Sequence, residues 1–135
     1  MKKGLVTNES AVAKRILIVD DAATVRLYYR GILETAGYTV EEAMNGIEAL
    51  EKALDAPYDL YVVDVNMPKL NGYGFLNELR QQEIPQPPAI MVSTEAAPGD
   101  EAAAYRAGAN SYLIKPVQPA QLLTYVHLML GEAVR

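Results

Sequence analysis

The sequence predicts a single α/β domain: one five-stranded, doubly wound parallel sheet of strand order 2-1-3-4-5, flanked by five helices. Three observations carry this. Short β-branched runs alternate strictly with helical stretches along the chain, the pattern of a parallel sheet built by crossovers. The runs are almost continuously apolar, which marks strands covered on both faces. The 135 residues suit one domain at roughly 100–200 residues each, and right-handed crossovers leave few topologies, of which 2-1-3-4-5 is common at this size.

In chain order, Met1 to about Lys14 is polar without clear periodicity and reads as a loose leader. Arg15-Ile16-Leu17-Ile18-Val19-Asp20 is a buried strand ending in acid. Ala22 to Ala36 is helical, with Val25, Tyr28, Tyr29, Ile32 and Leu33 recurring on one face, and Gly37 ends it. Thr39–Ala43 is a weaker strand, and Asn45-Gly46 turns the chain. Ile47, Leu50 and Leu54 mark the inner stripe of the second helix, which Asp55-Ala56-Pro57 closes. Asp59-Leu60-Tyr61-Val62-Val63-Asp64 is the third strand, again finishing on an aspartate. A loop over Met67–Gly72 leads into a helix from Tyr73 to about Gln82, packed through Phe75, Leu76 and Leu79. The proline-rich Ile84–Pro88 is a stiff connector into strand Ala89–Ser93. The helix from about Gly99 to Ala107 is mostly alanine and docks weakly, since little apolar area leaves water. Ser111–Ile114 is the fifth strand, and Pro119 opens the last helix, with Leu122, Leu123, Val126, Met129 and Leu130 inward. The domain therefore spans 15–131, between the leader at 1–14 and a tail at 132–135.

Composition narrows the function. With no cysteine, disulfide scaffolds, thiolate metal sites and thiol nucleophiles are excluded. One histidine, His127, excludes a multi-histidine centre and is expected at the surface of the last helix. The net charge of -5 disfavours nucleic acid, whose binders are basic. No apolar run reaches the ~20 residues of a membrane span, and the two lysines at the start lack the apolar stretch of a secretory signal. A cytoplasmic protein that binds neither nucleic acid nor membrane is the expectation.

In a doubly wound sheet the ligand site lies outside the carboxyl ends of the strands, at the switch point between the first and third. The residues there are Asp20 and Asp21, Asp64, Ser93 and Lys115. Clustered carboxylates repel and are costly to desolvate. Mg²⁺, which takes hard oxygen ligands and keeps several waters, resolves that conflict and leaves room for a phosphoryl oxygen. Lysine supplies a point charge for phosphate. Singly, each residue has a plain structural alternative: Asp21 as a helix cap, Asp64 as a turn former, Lys115 as a solvated lysine, Ser93 as a strand end. Jointly, at four strand ends on one rim, those alternatives fail.

These residues resemble the receiver domain of two-component response regulators. Val19-Asp20-Asp21, Asp64-Val65-Asn66-Met67-Pro68, Gly108-Ala109 and Tyr112-Leu113-Ile114-Lys115-Pro116 follow that family's motifs in order and spacing, over about Arg15 to Gly131. The resemblance implies that Asp64 is the phosphoacceptor, charged by a sensor histidine kinase or phosphotransfer protein. It implies that Asp21, Asp64 and the backbone carbonyl of Asn66 hold Mg²⁺, with Mn²⁺ as a substitute and Asp20 acting through water. Lys115 and Ser93 bind the phosphoryl group, Pro116 follows a cis peptide, and Ser93 with Tyr112 form the switch. The output is a partner protein or output domain reached through the fourth helix, fifth strand and fifth helix, a surface also open to phosphorylation-dependent dimerisation. The domain assists its own phosphorylation and dephosphorylation and is otherwise no enzyme.

Some positions depart from the family. Thr94 stands where a smaller Ala or Gly is usual and narrows access to the acceptor; Gln118 replaces the usual capping Thr or Ser of the last helix. Asn66, Glu95 and Thr24-Val25-Arg26 resemble the chemotaxis-type members, so a stand-alone regulator is expected ahead of a receiver cut from a longer one. Tyr105 and Tyr125 are candidate partner-binding aromatics, whereas Tyr28 and Tyr29 read as packing. A flavodoxin-like cofactor carrier needs a Ser/Thr- and Gly-rich loop after the first strand to cradle phosphate, and two aspartates stand there instead. A haloacid-dehalogenase-type phosphatase needs an acid two residues after its nucleophile, and Asn66 cannot serve.

Overall fold

The computed structural model describes residues 12–132. Most of the expected leader, residues 1–11, and the tail at 133–135 lie outside the described residues. In chain order the elements are β1 (Arg15–Val19), α1 (Ala23–Thr35), β2 (Thr39–Ala43), α2 (Gly46–Asp55), β3 (Leu60–Asp64), α3 (Gly72–Leu79), β4 (Ala89–Ser93), α4 (Pro98–Ala107), β5 (Ser111–Ile114) and α5 (Pro119–Met129). The five strands form one sheet of order β2-β1-β3-β4-β5, every pair parallel.

Strand side chains alternate between faces with period two, and the core divides accordingly. Ile16, Ile18, Val62, Ile90, Val92 and Leu113 pack against Tyr29 and Leu33 of α1 and Leu122 and Val126 of α5. Leu17, Val19, Tyr61, Val63 and Met91 pack on the other face against α2, α3 and α4. Register then fixes the rim. Val19 sits beside both Ala43 and Val63, Asp64 beside Val92, and Ser93 beside Ile114. The strands' carboxyl ends are therefore nearly flush, and whatever follows them shares one crevice.

The second helix corrects the sequence reading. Ile47 and Leu54 face solvent at 45% and 50% exposure, and the buried stripe is Gly46, Ala49 and Ala53, with Leu50 half-buried. Close approach decides this: a side chain at Gly46 would collide with the backbone of Leu70, so small residues line the contact and the large ones turn outward. Nor is Asn45-Gly46 a free turn. Asn45 is the N-cap of α2, its side chain accepting from the Glu48 amide at 2.9 Å. The third helix stops at Leu79 rather than near Gln82 because the Gln86 amide bonds the carbonyls of Leu79 (2.8 Å) and Gln82 (3.1 Å) and satisfies the helix end there.

As the alanine content suggests, α4 buries only Ala104 and Ala107. Its far end is held from outside. Gly108 takes φ +118°, and the Arg80 guanidinium bonds its carbonyl through two nitrogens, at 2.9 and 3.1 Å. The first turn of α5 has no side-chain cap from Gln118.

Candidate functional site

The site assembles from four strand ends. The Asp20 amide continues the ladder by donating to Ala43 (3.1 Å), which pins the carboxylate on the rim with 1% exposure. Its Oδ1 accepts from the Ala22 amide at 2.9 Å and its Oδ2 faces the Lys115 Nζ at 3.2 Å. The first helix has no side-chain cap, so neither aspartate serves as one, and the Asp21 side chain is exposed toward the crevice. Asp64, the last residue of β3, is 7% exposed and meets the Lys115 ammonium at 2.9 Å. One carboxylate oxygen from each of Asp20, Asp21 and Asp64 lies within 4.8 Å of the others.

Three carboxylates face one ammonium, and the titration of both partners reflects it. Burial pushes the Asp64 carboxyl above the usual carboxylate range; the Lys115 bond opposes this and the Asp20 charge reinforces it. Burial works against the Lys115 charge, yet Asp64 and Asp20 together hold the ammonium above its ordinary value. Such a donor set, all hard oxygen and net negative, suits a hard divalent cation.

The other flank carries the groups expected to respond. Ser93 is buried, and its Oγ accepts from the Glu95 amide at 3.0 Å. Tyr112, half-buried on β5, donates its hydroxyl to the Glu95 carbonyl at 2.7 Å. The two therefore grip one residue from two strands. The Lys115 amide donates to the Ser93 carbonyl at 2.8 Å, and the Lys115–Pro116 peptide is cis. Asn66 lies exposed just past β3, and Thr94 is exposed on the wall of a cavity beside Lys115. Tyr105 bonds Glu101 at 2.8 Å on the surface of α4, and His127, half-buried, lies beside the Tyr38 ring, away from the site.

Sequence reasoning missed three contributors. At Gly72 any side chain would run into the Asp64 carbonyl, so glycine lets α3 begin directly beneath the acceptor. The signal was Asn71-Gly72, a cap before a helix start: the Asn71 side chain accepts from Gly74 at 2.9 Å. Arg26 donates to the Asp20 carbonyl (2.6 Å) and to Glu42 (2.7 Å), fastening the backbone behind the acidic cluster. Tyr29, read as packing alone, also lines the cavity beside Lys115.

Known proteins bear directly on this arrangement. The family model described as the response regulator receiver domain matches residues 16–127. The transcriptional regulatory protein ResD of Bacillus subtilis is 34% identical over 94% of this chain, which spans 50% of ResD. The chemotaxis protein CheY1 of Helicobacter pylori is 36% identical over 87% of this chain and 97% of its own length. Among solved structures, the receiver domain of a sensor histidine kinase from Pseudomonas aeruginosa PAO1, with a magnesium ion coordinated in its active site cleft, superposes with a TM-score of 0.83. It is 31% identical, over 90% of this chain and all of that one. An acidic crevice at the switch point of this sheet, matched over nearly the whole domain, has one reading: the chain belongs to the response regulator receiver family of two-component signalling and is a CheY-like receiver domain.

Proposed function

We propose that Asp64 takes the phosphoryl group from a phosphohistidine on a histidine kinase or phosphotransfer protein, and that the gain is read out through α4, β5 and α5. The observation that carries this is the Lys115 ammonium at 2.9 Å from the one carboxylate that ends a central strand between two other acids. An Asp64 oxygen attacks phosphorus, the P–N bond breaks, and its electron pair leaves with the imidazole nitrogen. Little of this is covalent work for the protein, which positions the nucleophile and neutralises charge.

The donor set fits Mg²⁺, with Mn²⁺ as a substitute: Asp21 and Asp64 with the Asn66 carbonyl as ligands and Asp20 through water. Such an ion supplies positive charge to the phosphoryl oxygens in flight. Lys115 and Ser93 then hold the phosphoryl group. When Ser93 turns its hydroxyl toward it, the bond to the Glu95 amide is given up and the Tyr112 anchor on the same residue loosens. Because α4 docks through two alanines, it is the element most easily moved, and a partner chosen by differential affinity follows. The domain boundaries at 15–131 belong to the same reading, with a stand-alone chemotaxis-like regulator ahead of a longer transcriptional one.

Asp64→Asn tests the acceptor: it abolishes labelling by a cognate kinase and the binding of beryllofluoride with Mg²⁺. Label that persists and maps to another residue overturns the assignment. Amide shifts with and without beryllofluoride test the route. Large changes are expected over residues 94–125, reduced in Ser93→Ala, and a response confined to α1 and α2 contradicts it.

A further inference from the structure

Two buried tyrosines, Tyr29 at 3% and Tyr61 at 1% exposure, carry hydroxyls with no hydrogen-bond partner among the described residues. Those of Tyr28, Tyr38, Tyr58, Tyr105 and Tyr112 each have one. A buried hydroxyl left unpaired is costly, so each orphan calls for an explanation. Tyr61 lines a cavity of about 200 Å³ at the amino ends of the strands, walled by Leu54, Pro57, Tyr58, Ile84 and Pro85. That cavity has room for a water to pair it. Tyr29 lines a cavity of about 400 Å³ at the opposite rim, walled by Val25, Tyr28, Thr94, Lys115 and Val117. Here the neighbour is the ammonium of the site itself.

Lys115 has three protons, and two are engaged by Asp64 and Asp20, at 2.9 and 3.2 Å. Those same carboxylates are the ones assigned to the cation in the reading above, on which this inference rests. An ammonium that gives up their oxygens needs another acceptor close by. Across the cavity, the Val117 carbonyl already receives the Tyr28 hydroxyl at 3.0 Å. The exposed Thr94 hydroxyl is solvated. Pro116 and Gln118, which also line the wall, are exposed to solvent, which leaves Tyr29 as the buried wall residue whose side-chain oxygen has no partner among the described residues. It is neutral, since burial raises its pKa to about 12, and it can accept one N–H while keeping its own proton to donate.

We propose that the Tyr29 hydroxyl is a positioning group for Lys115, accepting its ammonium directly or through one cavity water whenever the carboxylates are otherwise engaged, and so keeping it beside the acceptor until a phosphoryl oxygen arrives. The aromatic ring belongs to the core, and only the oxygen has this task.

Tyr29→Phe separates the two. The ring stays, so the variant folds with a thermal midpoint at or above the parent's. With phosphoramidate as donor, its phosphorylation rate at saturation falls on the order of fivefold to tenfold, the scale of one hydrogen bond, while the donor concentration giving half that rate is unchanged. Nitrogen-15 spectra supply a readout independent of phosphorylation. In the parent, Mg²⁺ shifts the Lys115 ammonium and Tyr29 ring resonances together; in the variant the Lys115 ammonium signal broadens through faster exchange with solvent. If the variant matches the parent in rate and in the Lys115 resonance while both bind beryllofluoride, the positioning role is wrong and the site assignment stands. If the parent itself ignores beryllofluoride and Mg²⁺, both fall together.

Discussion

The two rims of the sheet are built on opposite terms. At the amino ends, charge is matched by partners. The Arg15 guanidinium stacks on the Tyr58 ring at 4.6 Å, bonds the Pro57 carbonyl and pairs with Glu41, which also receives the Tyr58 hydroxyl. Arg80, half-buried, makes five hydrogen bonds, to Gly108 twice, Pro87, Asn110 and Gln86. At the carboxyl ends, three carboxylates cluster and one lysine pairs with two of them, Asp20 and Asp64. At one rim the charged side chains have hydrogen-bond partners; the other is left in electrostatic conflict that a divalent cation would relieve.

The sharpest way to break this contrast is Arg80→Ala. It leaves the Gly108 and Pro87 carbonyls unpaired in a half-buried setting and should cost about 2–4 kcal/mol in urea denaturation, with phosphorylation kinetics of the folded fraction unchanged. A loss below the experimental error shows that the partnered charges of the amino rim do not hold it together.

Next comes the cation. At ~10–30 times its dissociation constant, Mg²⁺ should stabilise the parent by about 1.4–2 kcal/mol, a rise in thermal midpoint of roughly 4–10 °C. Asp21→Asn shrinks the rise, and Arg80→Ala leaves it intact. A midpoint indifferent to Mg²⁺ removes the conflict on which the comparison rests.

The rims should also differ in the sign of their pH dependence. The Arg15 and Tyr58 hydrogen bonds hold the Glu41 carboxyl below the usual range. Its contribution is therefore present above the unfolded carboxylate pKa and is lost as pH falls through the folded one. Asp64 runs the other way: burial raises its pKa, so its neutral form favours folding and that stability is lost as pH rises through the folded value. Without metal, Asp64→Asn should be more stable than the parent at neutral pH, with the advantage vanishing in acid. Glu41→Gln should flatten the parent's acid loss. Denaturation midpoints across pH 3–8 measure both (a window set by ordinary carboxylate titration), and like signs at the two sites sink the distinction.

The smallest effect concerns the uncapped start of α5. Gln118→Ser gives the first turn a side-chain acceptor and should add about 0.5–1 kcal/mol, read from the same denaturation curves.

Legibility in the sequence followed this same division. Strand ends were plain because apolar runs stop at polar or charged residues, and the sheet order brings Asp20, Asp64, Ser93 and Lys115 to one rim. What stayed hidden depended on contacts between elements. Which face of α2 turns inward was set by Leu70, distant in sequence, so periodicity chose Ile47 and Leu54 over Gly46 and Ala53. Asn71-Gly72 marks a helix start locally, but that Gly72 must be glycine depends on the Asp64 carbonyl eight residues earlier. Tyr29 satisfied the helical stripe equally well as a packing residue. Its oxygen gained meaning only when the β5–α5 connection closed a cavity over it.

The sheet order also sets a sequence in time. A chain made from its amino end completes β1, β2 and β3 first, and with them Asp20, Asp21 and Asp64. Lys115 follows the last strand at the sheet's edge. During synthesis, at about 5–20 residues per second, the nascent domain can gather its anionic triad seconds before the internal counterion leaves the ribosome. Over that interval the triad stands without the lysine that pairs with Asp20 and Asp64 in the finished domain.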